Sequence, residues 1–139
     1  QTIERTHLGT RTTFAGVLAG SLLESAYSRA DLVVVPSRNE SFGMVVAEAM
    51  ARGIPVVASR VGGIPEAMSS AGAGIILPPE DPWALEVVLR QWLSSPGRRT
   101  ELRTAAMEAR ASARTWSATV AVIASTLHDV ALRGTAVTA

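Results

Sequence analysis

The period of the apolar positions changes along this chain, and each change marks an element. Between residues 18 and 29 the apolar side chains Leu18, Leu22, Leu23, Ala26 and Tyr27 recur at helical spacing. This spacing predicts a helix, with Ser21 as its N-cap and Glu24 completing a capping box. Leu32-Val33-Val34-Val35 is then an unbroken apolar run closed by Pro36. No polar residue alternates within it, so it reads as a strand covered on both faces. Helical spacing returns over residues 43–52, with Gly53 at the C′ position. Pro55-Val56-Val57-Ala58 is a second buried strand, and a proline is tolerated at its first position. Gly62-Gly63 forms a turn, and Glu66-Ala67-Met68 begins a short helical turn after it. Gly74-Ile75-Ile76-Leu77 is a third strand, ended by Pro78-Pro79. Asp81 as N-cap and Pro82 at the first helical position open a helix over residues 82–93. Residues 94–97 break it, and two further helices are expected over residues 98–113 and 117–132. Upstream, Thr12-Thr13-Phe14 reads as a brief strand ending at Gly16. The tail over residues 134–139 is expected to fray.

This order of strands, turns and helices describes an α/β fold with a parallel sheet and flanking helices. Ligands of such sheets sit at the C-terminal ends of the strands. Arg38, Glu40, Ser41 and Gly43 follow one strand end, and Arg60, Gly62 and Gly63 follow the next. The two turns are therefore expected to face one crevice.

Composition narrows the function classes. A chain of 139 residues that is 47% hydrophobic is long enough for one domain with a real core. Only 4% of it is aromatic, so that core must be aliphatic. A net charge of +1 gives no basis for non-specific nucleic-acid binding. The chain has no cysteine, and His7 and His128 have no second ligand at metal-site spacing, so no metal is expected. No apolar run reaches the roughly 20 residues that span a bilayer, and no leader is visible. The cytoplasm, or a cytoplasmic membrane face, is the expected compartment. The chain starts at Gln1 rather than Met, and the expectation is a region of a longer polypeptide.

The candidate chemistry lies in the segment from Asn39 onward. Glu40 sits in a polar turn and Glu48 eight positions later, in the helix that opens at Gly43. A strand, a glycine turn and a helix N-terminus offer unpaired N–H groups to a phosphate. Two acids beside them can accept from sugar hydroxyls, which points to a nucleotide-sugar. Glu48 is the harder of the two to explain by folding alone, because Met44-Val45-Val46-Ala47-Glu48-Ala49-Met50 is apolar on most sides. The ribose of a nucleotide offers the two neighbouring hydroxyls that such a carboxylate could hold. Glu40 could equally cap the helix dipole. Glu66 could cap its own short helix or bind a hydroxyl. Arg38 and Arg60 could approach a diphosphate or stay solvated. Trp83, Trp92 and Trp116, with Met44, Met50 and Met68, read as packing residues.

The quoted residues resemble one family. Residues 31–37, residues 40–59 with Glu40 and Glu48 in an E-x7-E pattern, and Gly62-Gly-Ile-Pro-Glu66 are similar to the donor-site signature of retaining, nucleotide-sugar-dependent glycosyltransferases of family 4. Phe14-Ala-Gly16 and residues 74–82 also fit, so the resemblance runs over about residues 12–132. It implies the GT-B fold, in which two Rossmann-like domains face a cleft. It further implies that Glu48 binds the ribose and that Glu40 contacts the donor sugar at the reacting centre. By the same resemblance, the backbone of Phe42, Gly43 and Met44 meets the sugar and phosphates, and the reading of the two turns adds Ser41, Arg38, Gly62, Gly63 and Glu66 as donor-binding candidates. The donor would be UDP- or GDP-linked, with no bound metal and no other cofactor.

The resemblance covers only part of a donor domain. The acceptor domain of the family, and two opening βα units that carry an Arg and a Lys for the diphosphate, have no counterpart in the chain. In the family's strand order, two strands would lie between Thr12–Phe14 and the run at 32–35. The expectations are a bare apolar strand edge, pairing through it with a second copy or with the missing part, and an isolated chain without activity. The alternative is a non-catalytic nucleotide-sugar-binding or assembly module.

Overall fold

The computed structural model describes residues 8–68, 72–113 and 116–135. After a 3-10 turn at Gly9–Arg11, the elements are α1 (Gly20–Ser28), β1 (Val33–Val35), α2 (Met44–Ala51), β2 (Val56–Ser59) and α3 (Ile64–Ala67). They continue with β3 (Gly74–Leu77), α4 (Pro82–Ser94), α5 (Pro96–Ser112) and α6 (Trp116–Thr135). The three strands form one parallel sheet in the order β1-β2-β3. Val33, Val34 and Val35 align with Val56, Val57 and Ala58, which align in turn with Gly74, Ile75 and Ile76.

Because side chains alternate across a strand, this register assigns each position to a face. Val33, Val35, Val56, Ala58 and Ile76 share the face that meets the core. Against them lie Val46, Ala49 and Met50 of α2, Ile64 of α3 and Ala106 and Ala109 of α5. Positions 46, 49 and 50 of α2, and 102, 106 and 109 of α5, are the buried stripes that helical spacing produces. Ile64 is completely buried, and burying such a side chain stabilises the fold by about 1.5–3 kcal/mol. Two helix ends are fixed locally, that at Asp81 as expected and that at Ser95 with α5 starting two residues earlier than expected. The Asp81 carboxylate accepts from the Ala84 N–H at 2.9 Å, and the Ser95 hydroxyl accepts from Arg98 N–H at 3.2 Å.

Several expectations are corrected. Residues 12–14 form no strand: Thr12 has extended backbone, but no described strand lies beside it, and Phe14 is 83% exposed. A strand without a ladder partner gains nothing from being extended. α1 begins at Gly20 with Ala19 as its N-cap and no side-chain cap, so Ser21 lies inside the helix and the capping box is absent. β1 is not covered on both faces. Val57 is 1% exposed, whereas its register partner Val34 is 38% exposed, because β1 is the outer strand. α3 starts two residues earlier than expected. Met44 and Trp83 are exposed, while Met50, Met68 and Trp92 are buried as expected. The side chain of Trp116 lies outside the described residues. Of the tail expected to fray, residues 134 and 135 continue α6, and residues 136–139 lie outside the described residues.

Helix α6 presents Val120, Ile123, Leu127 and Val130 to solvent. Among the described residues no helix is long and apolar enough to cross a membrane.

Among the described residues, no strand pairs with the outer edge of β1. Unpaired N–H and C=O groups beside an exposed valine template pairing with another chain. The chain is expected to self-associate with rising concentration in light scattering, and Val34→Lys should hold it monomeric. A native chain that stays monomeric at high concentration would remove this expectation.

Candidate functional site

The turn after β1 and the turn after β2 are locked together through their backbones. The Gly63 N–H donates to the Ser41 carbonyl at 3.2 Å. Gly62 has φ +49°, and a Cβ built on it would lie 1.5 Å from the Glu40 carbonyl oxygen. Only a residue without a side chain allows that approach. Gly43, at φ +71°, is the N-cap of α2. It is buried against α3, where an added Cβ would stand 3.2 Å from Ile64 Cγ1. Glu40, Ser41, Phe42, Gly43, Gly62 and Gly63 are thus one constellation at the C-terminal ends of β1 and β2, as the pattern of strands and turns predicts.

With glycine at the N-cap, no side chain caps α2. The amides of its first turn are left to other partners, and the positive end of the helix dipole lies at the constellation. Phe42 and Met44 are exposed beside it. Such an arrangement can hold an anion against backbone N–H groups and bring a carboxylate, Glu40, alongside.

Glu48 lies farther along α2 and is half-buried. The Tyr27 hydroxyl donates to its Oε2 at 2.9 Å. Arg52 donates to the Glu48 carbonyl at 2.8 Å, and its guanidinium lies 4.4 Å from the centre of the Tyr27 ring. Arg52 also bonds the Glu24 carboxylate. Tyr27 and Glu24 belong to α1, so the cluster ties α1 to α2. Burial pushes the Tyr27 hydroxyl above the ordinary tyrosine range, and the bond to Glu48 and the charge of Glu48 push it further in that direction. The hydrogen bond from Arg52 holds the Glu24 carboxyl below the ordinary carboxylate range.

Tyr27 and Arg52 are residues that sequence reasoning missed in this role. Tyr27 counts as one more apolar position of a helix, and Arg52 as the end of another. The available signals were that Tyr27 is the only tyrosine in the chain, and that Arg52 stands at i+4 from Glu48.

The remaining candidates stand apart. Arg38 pairs with Glu80 at 3.0 Å. It rims a cleft of about 340 Å³ floored by Val34 and Val57 and walled by Leu77, Pro78 and Leu85. Of the candidate donor residues only Arg38 lines this cleft. Arg60 and Glu66 are exposed, Glu66 in the first turn of α3. Pro82 and Leu85 of α4 line the cleft together with Val34 and Val57 of the sheet.

Comparisons with known proteins extend the reading. The family model described as "Glycosyl transferases group 1" matches residues 1–109, ending inside α5. The D-inositol 3-phosphate glycosyltransferase of Corynebacterium diphtheriae is 42% identical over 110 residues, which are 79% of this chain and 26% of that protein. The chain therefore spans about a quarter of the length of the curated relatives it matches. Among solved structures, the sucrose-phosphate synthase of Thermosynechococcus elongatus superimposes with a TM-score of 0.77 at 33% identity. The superposition covers 96% of this chain and 33% of the synthase. Anabaena HepE in complex with UDP gives a TM-score of 0.78 at 26% identity, covering 91% of this chain and 35% of HepE. The parallel sheet with flanking helices is the arrangement these glycosyltransferase structures share with the chain.

Two outcomes are expected. Gly62→Ala should lower stability by about 1–3 kcal/mol in urea denaturation, because its backbone is left-handed and its Cβ meets a carbonyl that cannot yield without separating the turns. Wild-type stability in that variant would show that the turns are not locked. The Glu24–Arg52 bond is present above the ordinary carboxylate range, since the folded state holds the Glu24 carboxyl lower than the unfolded chain does. Its contribution is lost as pH falls through the depressed value. Melting temperature followed from neutral to acid pH should fall less steeply in Glu24→Gln than in the native chain; parallel curves would refute the linkage.

Proposed function

The chain belongs to the glycosyl transferases group 1 family, and we propose that it is the donor-binding part of a retaining, metal-independent glycosyltransferase of family 4. It would transfer a sugar from a nucleoside-diphosphate sugar to an acceptor held by the rest of a longer protein. The observation that carries the reading is the locked pair of glycine turns, with Glu40 at one end and the uncapped N-terminus of α2 opening from it.

The chemistry follows from that geometry. Breaking the bond between the anomeric carbon and the diphosphate oxygen leaves negative charge on the diphosphate and positive charge on the sugar. The amides of the first turn of α2, with the backbone of Ser41, Phe42, Gly43 and Met44, are already oriented to take the negative charge. Preorientation matters because dipoles that do not have to rotate during the reaction cost nothing at the transition state. Glu40 supplies a carboxylate for the sugar and for the positive charge at the anomeric carbon. Glu48 accepts from the ribose hydroxyls. Gly62 and Gly63 hold the wall of the site by contact with Glu40 and Ser41. The UDP held by the similar HepE structure favours a uridine diphosphate donor.

A second reading is donor recognition without turnover. It is favoured by Arg38, the candidate cation for the diphosphate nearest Glu40 in sequence, being engaged with Glu80. Both readings require the nucleotide to bind. Calorimetric titration with UDP, GDP and ADP is expected to give saturable binding of one nucleotide, UDP first. Glu48→Ala should weaken it at least tenfold, as the loss of a charge-assisted pair of hydrogen bonds does. Unchanged affinity in Glu48→Ala would sink the ribose assignment.

A further inference from the structure

We propose that Tyr27 is the positioning residue for Glu48, fixing that carboxylate in the orientation in which it meets the two ribose hydroxyls of the donor nucleotide. The inference rests on the donor-site reading above and adds to it a residue from a different helix.

A glutamate side chain has three rotatable bonds, and a carboxylate left to itself in a half-exposed position samples many of them. Here one oxygen is held. The Tyr27 hydroxyl donates to Oε2 at 2.9 Å, and the ring behind that hydroxyl is 9% exposed, so it cannot swing away with the carboxylate. With Oε2 fixed, the plane of the carboxylate is fixed. Oε1 has no hydrogen-bond partner among the described residues, and Oε2 keeps a lone pair beyond the one that Tyr27 uses. Two acceptor positions in one rigid plane match two vicinal hydroxyls.

The ring is in turn held from behind. The Arg52 guanidinium lies over it at 4.4 Å, bonds the main chain of Glu48 at 2.8 Å and reaches back to Glu24 on α1. Tyr27 is therefore clamped to the helix that carries its partner. Its role needs the hydroxyl proton in place, and burial together with the neighbouring carboxylate holds that proton well above neutral pH. A packing role alone would need the ring and not the hydroxyl, so Tyr27→Phe separates the two.

The test compares UDP with 2′,3′-dideoxy-UDP by calorimetry on the native chain, Tyr27→Phe and Arg52→Gln, with circular dichroism to establish that each is folded. Native protein should prefer UDP. Tyr27→Phe should weaken UDP about three- to tenfold, the size of effect of one ordinary hydrogen bond, and leave dideoxy-UDP binding unchanged. Arg52→Gln should show the same ribose-dependent loss at smaller size, and it carries the test should the Phe variant not fold. Equal weakening of both ligands would make Tyr27 a structural residue and overturn the inference. So would unchanged UDP affinity in both folded variants. Native protein that binds neither UDP nor GDP removes the donor-site reading itself, a different failure from a native site that binds UDP indifferently to the variants.

Discussion

One contact governs this molecule: the backbone of Gly62 pressed against the carbonyl of Glu40. It brings the loops that follow two neighbouring strands to within a hydrogen bond of each other, and the Gly63 N–H closes that bond on Ser41. Gly43 then turns the chain into α2 against α3, so the N-terminus of α2 is aimed by the same contact. A side chain at position 62 would separate the loops, tilt α2 and move Glu40. The rigid part of the site is therefore backbone, and its side chains are arranged around it.

The second constraint is an acid in an apolar helix. A carboxylate that is half withdrawn from water needs a partner. In this fold the partner comes from α1 rather than from the sheet or from α2 itself. α1 therefore does more than add Tyr27 and Leu23 to the core. It carries the hydroxyl that meets Glu48 and the carboxylate that meets Arg52, so three charged residues and a phenol join the two helices.

Much of this was legible before the structure. Unbroken apolar runs at 32–35 and 55–58 marked the strands, and Asp81-Pro82 and Gly53 marked helix ends, because each rests on local backbone chemistry. The pairing of Glu40, Gly43, Gly62 and Gly63 followed from parallel topology, which sets successive strand ends side by side. What was not legible depended on neighbours. Thr12–Phe14 has strand-forming residues but no ladder to join. Val34 sits in a run that reads as buried, yet burial requires a strand or helix beyond β1. Trp83 and Met44 are apolar residues on faces that nothing described covers. Tyr27 escaped notice because an aromatic residue in a helical stripe looks the same whether its hydroxyl is used or not.

The order of the strands in space is the order of the strands in the chain. Among the described strands, each parallel ladder closes over a single intervening helix and its turns. The entropy lost in closing each loop is small, and the loops close one after the other. A nascent chain leaving the ribosome could therefore assemble β1, β2 and β3 in succession, each new strand finding its neighbour already made. Among the described residues no strand pairs with the outer edge of β1. That edge is a surface at which a further strand could join the ladder without disturbing the three already paired.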